Sequence, residues 1–510
     1  MSSKISRRKF LATGAVAAAG LTIVPSTVLG KSMGYKAPSD RLNIVGIGVG
    51  GRGRAVLRNM NSENIIGLAD TDHRYSASGT GGGVFGDYPN APRFFQYREM
   101  FDRLGSSIDA VMIAGSDHTH AIQSADAMSN GWHVFTEKPL THNVYESRLL
   151  TKMAAHYGVA TQMGNQGASW PGTADTIEWL QNGEIGAVTR VDTFTNRPIW
   201  PQGLTRPTQV MRVPTTMDWN EFVGPAPMRP FHEIYTPWNF RGWWDFGTGA
   251  LGDMACHILD VVFKALNLGY PTKVQGTSTM LLNESAPQAQ KVKFTFPARP
   301  NLPKLAMPEV VVNWYDGGIQ PERPAGLPDG FNLNIMGGAA IFYGTKDILI
   351  CGCYGVRPFL LSGRVPTNVP RTQRRVQLVD RNTQSLNEGE GLTHYQDWIR
   401  ACKESRANRV ECTSNFAIAG PFNEMVVMGV LAVRLQSLNQ ELHWDGENMR
   451  FTNIPSDARI RTIIRDNFSI TDGHPTFGND WTEWENANEF AANLIKAPYH
   501  NGWALPPMPS

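Results

Sequence analysis

Leu42-Asn43-Ile44-Val45-Gly46-Ile47-Gly48-Val49-Gly50-Gly51-Arg52-Gly53 is an apolar run that breaks into glycines and resumes, from Arg52, as a helical pattern. Gly46, Gly48 and Gly51 stand in the spacing G-x-G-x-x-G. Between a strand and a helix, that spacing allows a tight turn and a close backbone approach to a pyrophosphate. It also lets a helix N-terminus face the anion. Gly50 and Arg52, in the same loop, join the candidate cofactor contacts. A second apolar run, 64–69, ends at Asp70, about 20 residues on, where a carboxylate accepts from ribose hydroxyls and repels a 2′-phosphate. The loop predicts a dinucleotide site that takes NAD in preference to NADP.

Outward from this loop, short apolar runs at 42–47, 64–69, 110–114, 133–136 and 159–163 alternate with helical patterns at 52–60, 120–130 and 144–157. Strands separated by helices of this length predict a parallel, doubly wound Rossmann sheet over 41–165. Beyond it the strands lengthen and alternate, at 187–196, 273–282, 291–296, 310–315, 340–343 and 348–351. They predict a second α/β domain, 166–445, with a large, mostly antiparallel open sheet. Gly/Pro/Trp-rich loops interrupt it at 197–245 and 316–337, an apolar helix closes it at 415–435, and a tail, 446–510, is expected to pack back on the body.

The chain has 510 residues, 41% hydrophobic and 18% charged, enough to build more than one core. With 47 basic against 45 acidic residues there is no nucleic-acid footprint. No stable membrane anchor is expected. Residues 1–30 read as a targeting segment, in which Ser6-Arg7-Arg8-Lys9-Phe10-Leu11 resembles the twin-arginine export motif. It predicts a partner, the twin-arginine machinery, and a periplasmic destination reached by a folded chain. Cys256, Cys351, Cys353, Cys402 and Cys412 form no zinc-like pair of pairs and read as buried thiols. His118-x-His120 has a metal-like spacing but no accompanying carboxylate–histidine cluster, so no metal is predicted.

The fifth strand delivers Glu137-Lys138-Pro139 to the carboxyl edge of the sheet, where ligands of open α/β sheets bind. Asn165 and Gln166 end the sixth strand and face the same cleft. Taken with the glycine loop and a downstream D-x-x-x-H, Asp253-Met254-Ala255-Cys256-His257, the chain resembles the Gfo/Idh/MocA oxidoreductase family over nearly all of 41–510. The resemblance implies that Lys138 polarises the reacting hydroxyl and that His257 takes its proton while hydride leaves the same carbon for a nicotinamide. Asp253 would complete the constellation. The resemblance also puts Glu137, Asn165, Ser116 and His118 among the cofactor contacts, although Asp117-His118 replaces the Pro-Asn that many relatives carry. Relatives often have His two residues after Gln166, where this chain has Ala168.

Tyr235, Trp238, Asn239, Arg241, Trp243 and Trp244 crowd just before Asp253, with Trp170, Arg197 and Trp200 earlier in the domain. Aromatic faces with polar groups between them suit sugars, although about half of these residues are expected to be core. Trp238, Arg241, Arg197 and Gln166 are the candidate substrate contacts. The expected activity is transfer of a hydride between tightly bound NAD and a secondary alcohol of a sugar, glycoside or polyol. The alternative is a glycosidase or lyase using NAD in a redox-neutral oxidation–elimination cycle. A homodimer or homotetramer through the open sheet is expected.

Overall fold

The computed structural model describes residues 40–371 and 393–509. The leader expected over 1–30 lies outside the described residues. Six strands, β1 (Asn43–Ile47), β2 (Asn64–Ala69), β3 (Arg93–Phe94), β4 (Ala110–Ile113), β5 (His133–Thr136) and β6 (Thr161–Met163), form a sheet in the order β3-β2-β1-β4-β5-β6. Every pair is parallel. All four residues of β4 are buried, which is why this strand is a continuous apolar run with no alternation. Helices α1 (Arg52–Arg58), α2 (Tyr97–Leu104), α3 (His120–Ser129) and α4 (Val144–Tyr157) make the crossovers. Asn143 and Glu146 close a capping box at the start of α4, and left-handed Gly158 ends it. The strand order reverses between β1 and β4, so the binding crevice opens at their carboxyl ends.

The second sheet has nine strands, in the order β13-β12-β11-β7-β10-β9-β8-β14-β15. They are β7 (Val188–Thr195), β8 (Lys273–Ser278), β9 (Gln290–Phe296), β10 (Val310–Tyr315), β11 (Gly338–Gly344), β12 (Ile348–Gly352), β13 (Phe359–Leu360), β14 (Leu442–Asp445) and β15 (Arg450–Phe451). Only the β7–β10 pair is parallel. Helix α5 (Pro171–Gln181) precedes β7, and α6 (Gly249–Ala265) lies over β7 and β11. Three helices follow later in the chain: α7 (His394–Lys403), α8 (Phe416–Arg434) and α9 (Ala487–Ile495).

By length and composition α8 is apolar enough to cross a membrane, but it is core, packed between α4 and strands β8 and β9. Arg148 of α4 makes a two-pronged ion pair with Glu424 of α8, at 2.7 and 2.8 Å. The stretch 166–445 is not confined to the second sheet. Helix α7 returns to the Rossmann sheet, where the Trp398 ring meets Phe135 at 5.7 Å and Lys403 pairs with Glu63 at 2.7 Å. The tail divides. The Tyr499 hydroxyl donates to Glu146 at 2.9 Å and Trp503 sits under Arg98 at 4.1 Å, but the hairpin strands over 463–481 leave Ile470 and Phe477 exposed. All five cysteines are buried and free.

Candidate active site

The glycine loop joins β1 to α1. Gly48 has φ 68°, and a Cβ there would lie 2.4 Å from the Gly115 nitrogen, so only glycine fits. Gly51, at φ 48°, opens onto free space, which leaves its backbone approachable by a ligand. Gly48, Gly50, Gly51, Arg52, Asp70 and Ser116 line one groove, together with Tyr75, Phe95, Thr119 and Gln123. The Gln123 Oε1 atom is buried without a hydrogen-bond partner. Gly46 is packed inside β1 against Val49 and does not line the groove. Asp70 accepts from Gly50 N at 2.9 Å, Ser76 Oγ at 2.8 Å and Asp72 N at 3.0 Å. Burial raises its pKa, and these donors oppose the rise. Asp70 therefore holds the glycine loop as well as facing the groove.

The roof of the groove comes from the second domain: Glu221, Phe222, Thr236, Pro237, Trp238, Phe240 and Arg241. This strap is tied to the Rossmann edge by His73 N to Thr216 O at 3.0 Å and Asp218 N to Thr71 O at 2.9 Å. Asn501 of the tail pins it by donating to the carbonyls of Gly224 and Ala226.

Behind Arg241, a residue of the groove's wall, stand Lys138, Asp253 and His257. Lys138, just beyond β5, donates from Nζ to Asp253 Oδ1, and Arg241 Nε donates to the same oxygen at 3.0 Å. Asp253 and His257 are one helical turn apart on α6, each only 7% exposed, which rules out a solvated surface pair. His257 lies within α6, not at its start. Its Nδ1 is buried without a hydrogen-bond partner. Burial and the Lys138 cation hold the His257 pKa well below the ordinary value, and the Asp253 charge opposes them. Burial pushes Asp253 the other way, but Lys138 and Arg241 outweigh it and keep the carboxyl well below the usual range.

Besides Gly46, three expected cofactor contacts do not line the groove. His118 is spent between the domains, with Nδ1 3.3 Å from Phe246 O and Nε2 3.2 and 3.1 Å from Phe222 O and Val223 O. Burial takes its pKa down to about 3. Glu137 is buried and accepts from Arg52 Nε at 2.8 Å. Asn165 donates to Asp260 at 2.9 Å. The His118-x-His120 pair serves packing, since His120 also spans two carbonyls, those of Pro139 and Gly115.

Among the substrate candidates, Gln166 accepts from Arg52 at 3.3 Å, and Trp238, 51% exposed, lies under the Arg241 guanidinium at 4.7 Å. Arg197 donates to Asn196 at the end of β7. Trp200, Tyr235, Trp243 and Trp244 are buried core.

Two site residues have no local signal in the sequence. The Tyr354 ring packs on His257, 4.6 Å between centroids, and Tyr395 accepts from Arg52 at 2.8 Å, from 343 positions away.

The profile of the oxidoreductase family's NAD-binding Rossmann fold (Gfo/Idh/MocA) matches residues 41–165, and that of its C-terminal alpha/beta domain matches 181–297. A stretch of 99 residues is 34% identical to scyllo-inositol 2-dehydrogenase (NAD(+)) of Bacillus subtilis strain 168; it spans 19% of this chain and 26% of that one. The fold is similar to the WlbA dehydrogenase of Chromobacterium violaceum, solved with NADH and UDP-GlcNAcA. There the TM-score is 0.53 and the identity 15%, over 80% of this chain and 96% of that one. Levoglucosan dehydrogenase, solved with NADH and L-sorbose, is similar at TM-score 0.51 and 16% identity, over 79% and 98%. At such identities the likeness is one of fold. Both domain profiles of the Gfo/Idh/MocA oxidoreductase family thus match, in order along the chain.

Proposed function

We propose that the chain is an NAD-dependent oxidoreductase acting on a secondary alcohol of a sugar, glycoside or polyol. The observation that carries this reading is the meeting of Lys138, Asp253 and His257, whose Nδ1 has no partner, beside the glycine-loop groove, to which Arg241 joins them. The groove suits a dinucleotide, with an open glycine backbone, an acidic residue after β2 and the unpaired Gln123 Oε1. Bound NAD supplies the carbon that takes the hydride. The Lys138 ammonium donates to the substrate hydroxyl oxygen and stabilises the alkoxide character that develops there. His257, unprotonated at neutral pH, accepts the hydroxyl proton on a ring nitrogen. Asp253, which accepts from Nζ, holds Lys138 in place. Trp238 and Arg241 flank the substrate.

Asp70→Ala removes both the ribose contact and the anchor of Gly50, so it is expected to leave gel filtration depleted of NAD; unchanged occupancy would sink the assignment. The strap over the groove favours a nucleotide that stays bound between turnovers. That lends weight to a second reading, a redox-neutral glycoside cleavage, which predicts sugar release without net NADH. Export by the twin-arginine route rests on Ser6–Leu11 of the sequence. Arg7→Lys/Arg8→Lys is expected to leave folded protein in the cytoplasm, and continued periplasmic appearance would contradict that route.

A further inference from the structure

Asp253 and His257 stand between two cavities. On one side, Arg241 joins Asp253 to the wall of the nucleotide groove. On the other, Tyr354 packs on His257 and Trp170 packs on Tyr354, at 4.6 and 5.0 Å between ring centroids. Trp170 is the near wall of a second groove of about 630 Å³, lined further by Trp179, Phe331, Phe359, Asn332 and Arg357. Such a volume falls within the roughly 300–1,000 Å³ of small-molecule sites.

The ring path is rigidly held. A Cβ at Gly167 would lie 2.8 Å from the Tyr354 Cβ, and Thr173 Oγ1 donates to the Tyr354 carbonyl at 3.1 Å. Three residues on this path or its far wall, Tyr354, Met336 and Arg357, have φ of 65°, 58° and 49°, a conformation that non-glycine residues seldom adopt. Their clustering marks a wall shaped against local preference.

We propose that this second groove binds the next sugar unit of a glycoside whose reacting ring lies at Lys138, Asp253 and His257, so that the substrate is a di- or oligosaccharide. The nucleotide takes the first groove, which leaves the side beyond Tyr354 to the rest of the substrate. Half-exposed tryptophan and phenylalanine faces stack on the C–H face of a pyranose, and the amide of Asn332 and the exposed guanidinium of Arg357 meet hydroxyls at the rim. This deepens the oxidoreductase reading and rests on it for the place of the reacting ring.

The test is calorimetric titration of the NAD-loaded protein with methyl monosaccharides and with α- and β-linked disaccharides of glucose, galactose, xylose and N-acetylglucosamine. At least one disaccharide is expected to bind about tenfold more tightly than the methyl glycoside of the same ring. Trp179→Ala and, independently, Phe331→Ala are expected to erase that advantage while leaving reduction of bound NAD by the methyl glycoside unchanged. Equal affinity for every pair, or an advantage that survives in both variants, would overturn the proposal. If no methyl glycoside reduces bound NAD, the oxidoreductase reading falls, and the binding comparison still decides the groove.

Discussion

At the residue scale, the proposed chemistry rests on one neutral imidazole, His257, beside the Lys138 ammonium. Burial and Lys138 both lower the His257 pKa, so the base is already deprotonated at pH 7. The rate is lost as pH falls through the folded pKa, which places the acid limb of NAD reduction below about 6.5, the ordinary histidine value. In Lys138→Met, loss of the neighbouring cation is expected to move the imidazole titration upward, as read by NMR. A titration that stays put or moves down would contradict the electrostatic picture. Spacing in the sequence located Lys138, Asp253 and His257 on the chain, but it gave no view of where polar atoms point. Glu137, Asn165 and His118 sit at the carboxyl edge of the sheet, as motif reading expects. Glu137 is taken by Arg52 and His118 by the carbonyls of Phe222, Val223 and Phe246, while Asn165 donates to Asp260 and keeps its Oδ1 buried without a partner.

At the scale of elements, α4 and α8 are joined by the Arg148–Glu424 pair, whose side chains are 13% and 3% exposed. Burial raises the Glu424 pKa, and Arg148 opposes it. Arg148→Met strands that carboxylate and is expected to cost about 3–5 kcal/mol in denaturant unfolding. Adding Glu424→Gln should recover a large part of the loss; equal losses in the single and double variants would show that the pair does not govern this contact. The short apolar runs found β1, β2 and β4 to β6, strands most of whose residues are buried in the sheet. They missed β3, whose two residues carry no period. Nor does any local pattern report that α7 docks on the Rossmann sheet, because Trp398 meets Phe135 only through tertiary packing.

At the scale of the whole molecule, the site exists only where two domains meet. Lys138 leaves the Rossmann sheet, Asp253 and His257 lie on a helix of the second domain, and the Lys138–Asp253 contact spans 115 positions. Thr248, ahead of α6, donates to Asp117 from its nitrogen at 3.1 Å and its hydroxyl at 2.9 Å, which fixes that helix against the nucleotide domain. The fold class was legible because each sheet writes its own pattern, near-continuous in the first and, along β8 and the start of β9, alternating in the second. The strap was not, since 197–245 contains no regular pattern and its ties to residues 71–73 are backbone bonds. The central claim is that Lys138 and His257 act on one hydroxyl. Its most direct test is single-turnover reduction of bound NAD in Lys138→Ala, His257→Ala and the double variant. Each single change is expected to slow reduction by about 10²–10⁴-fold with NAD still bound. The double variant should lose far less than the product of the single losses. Reduction at the wild-type rate in either single variant, or fully multiplicative losses in the double, would contradict the account.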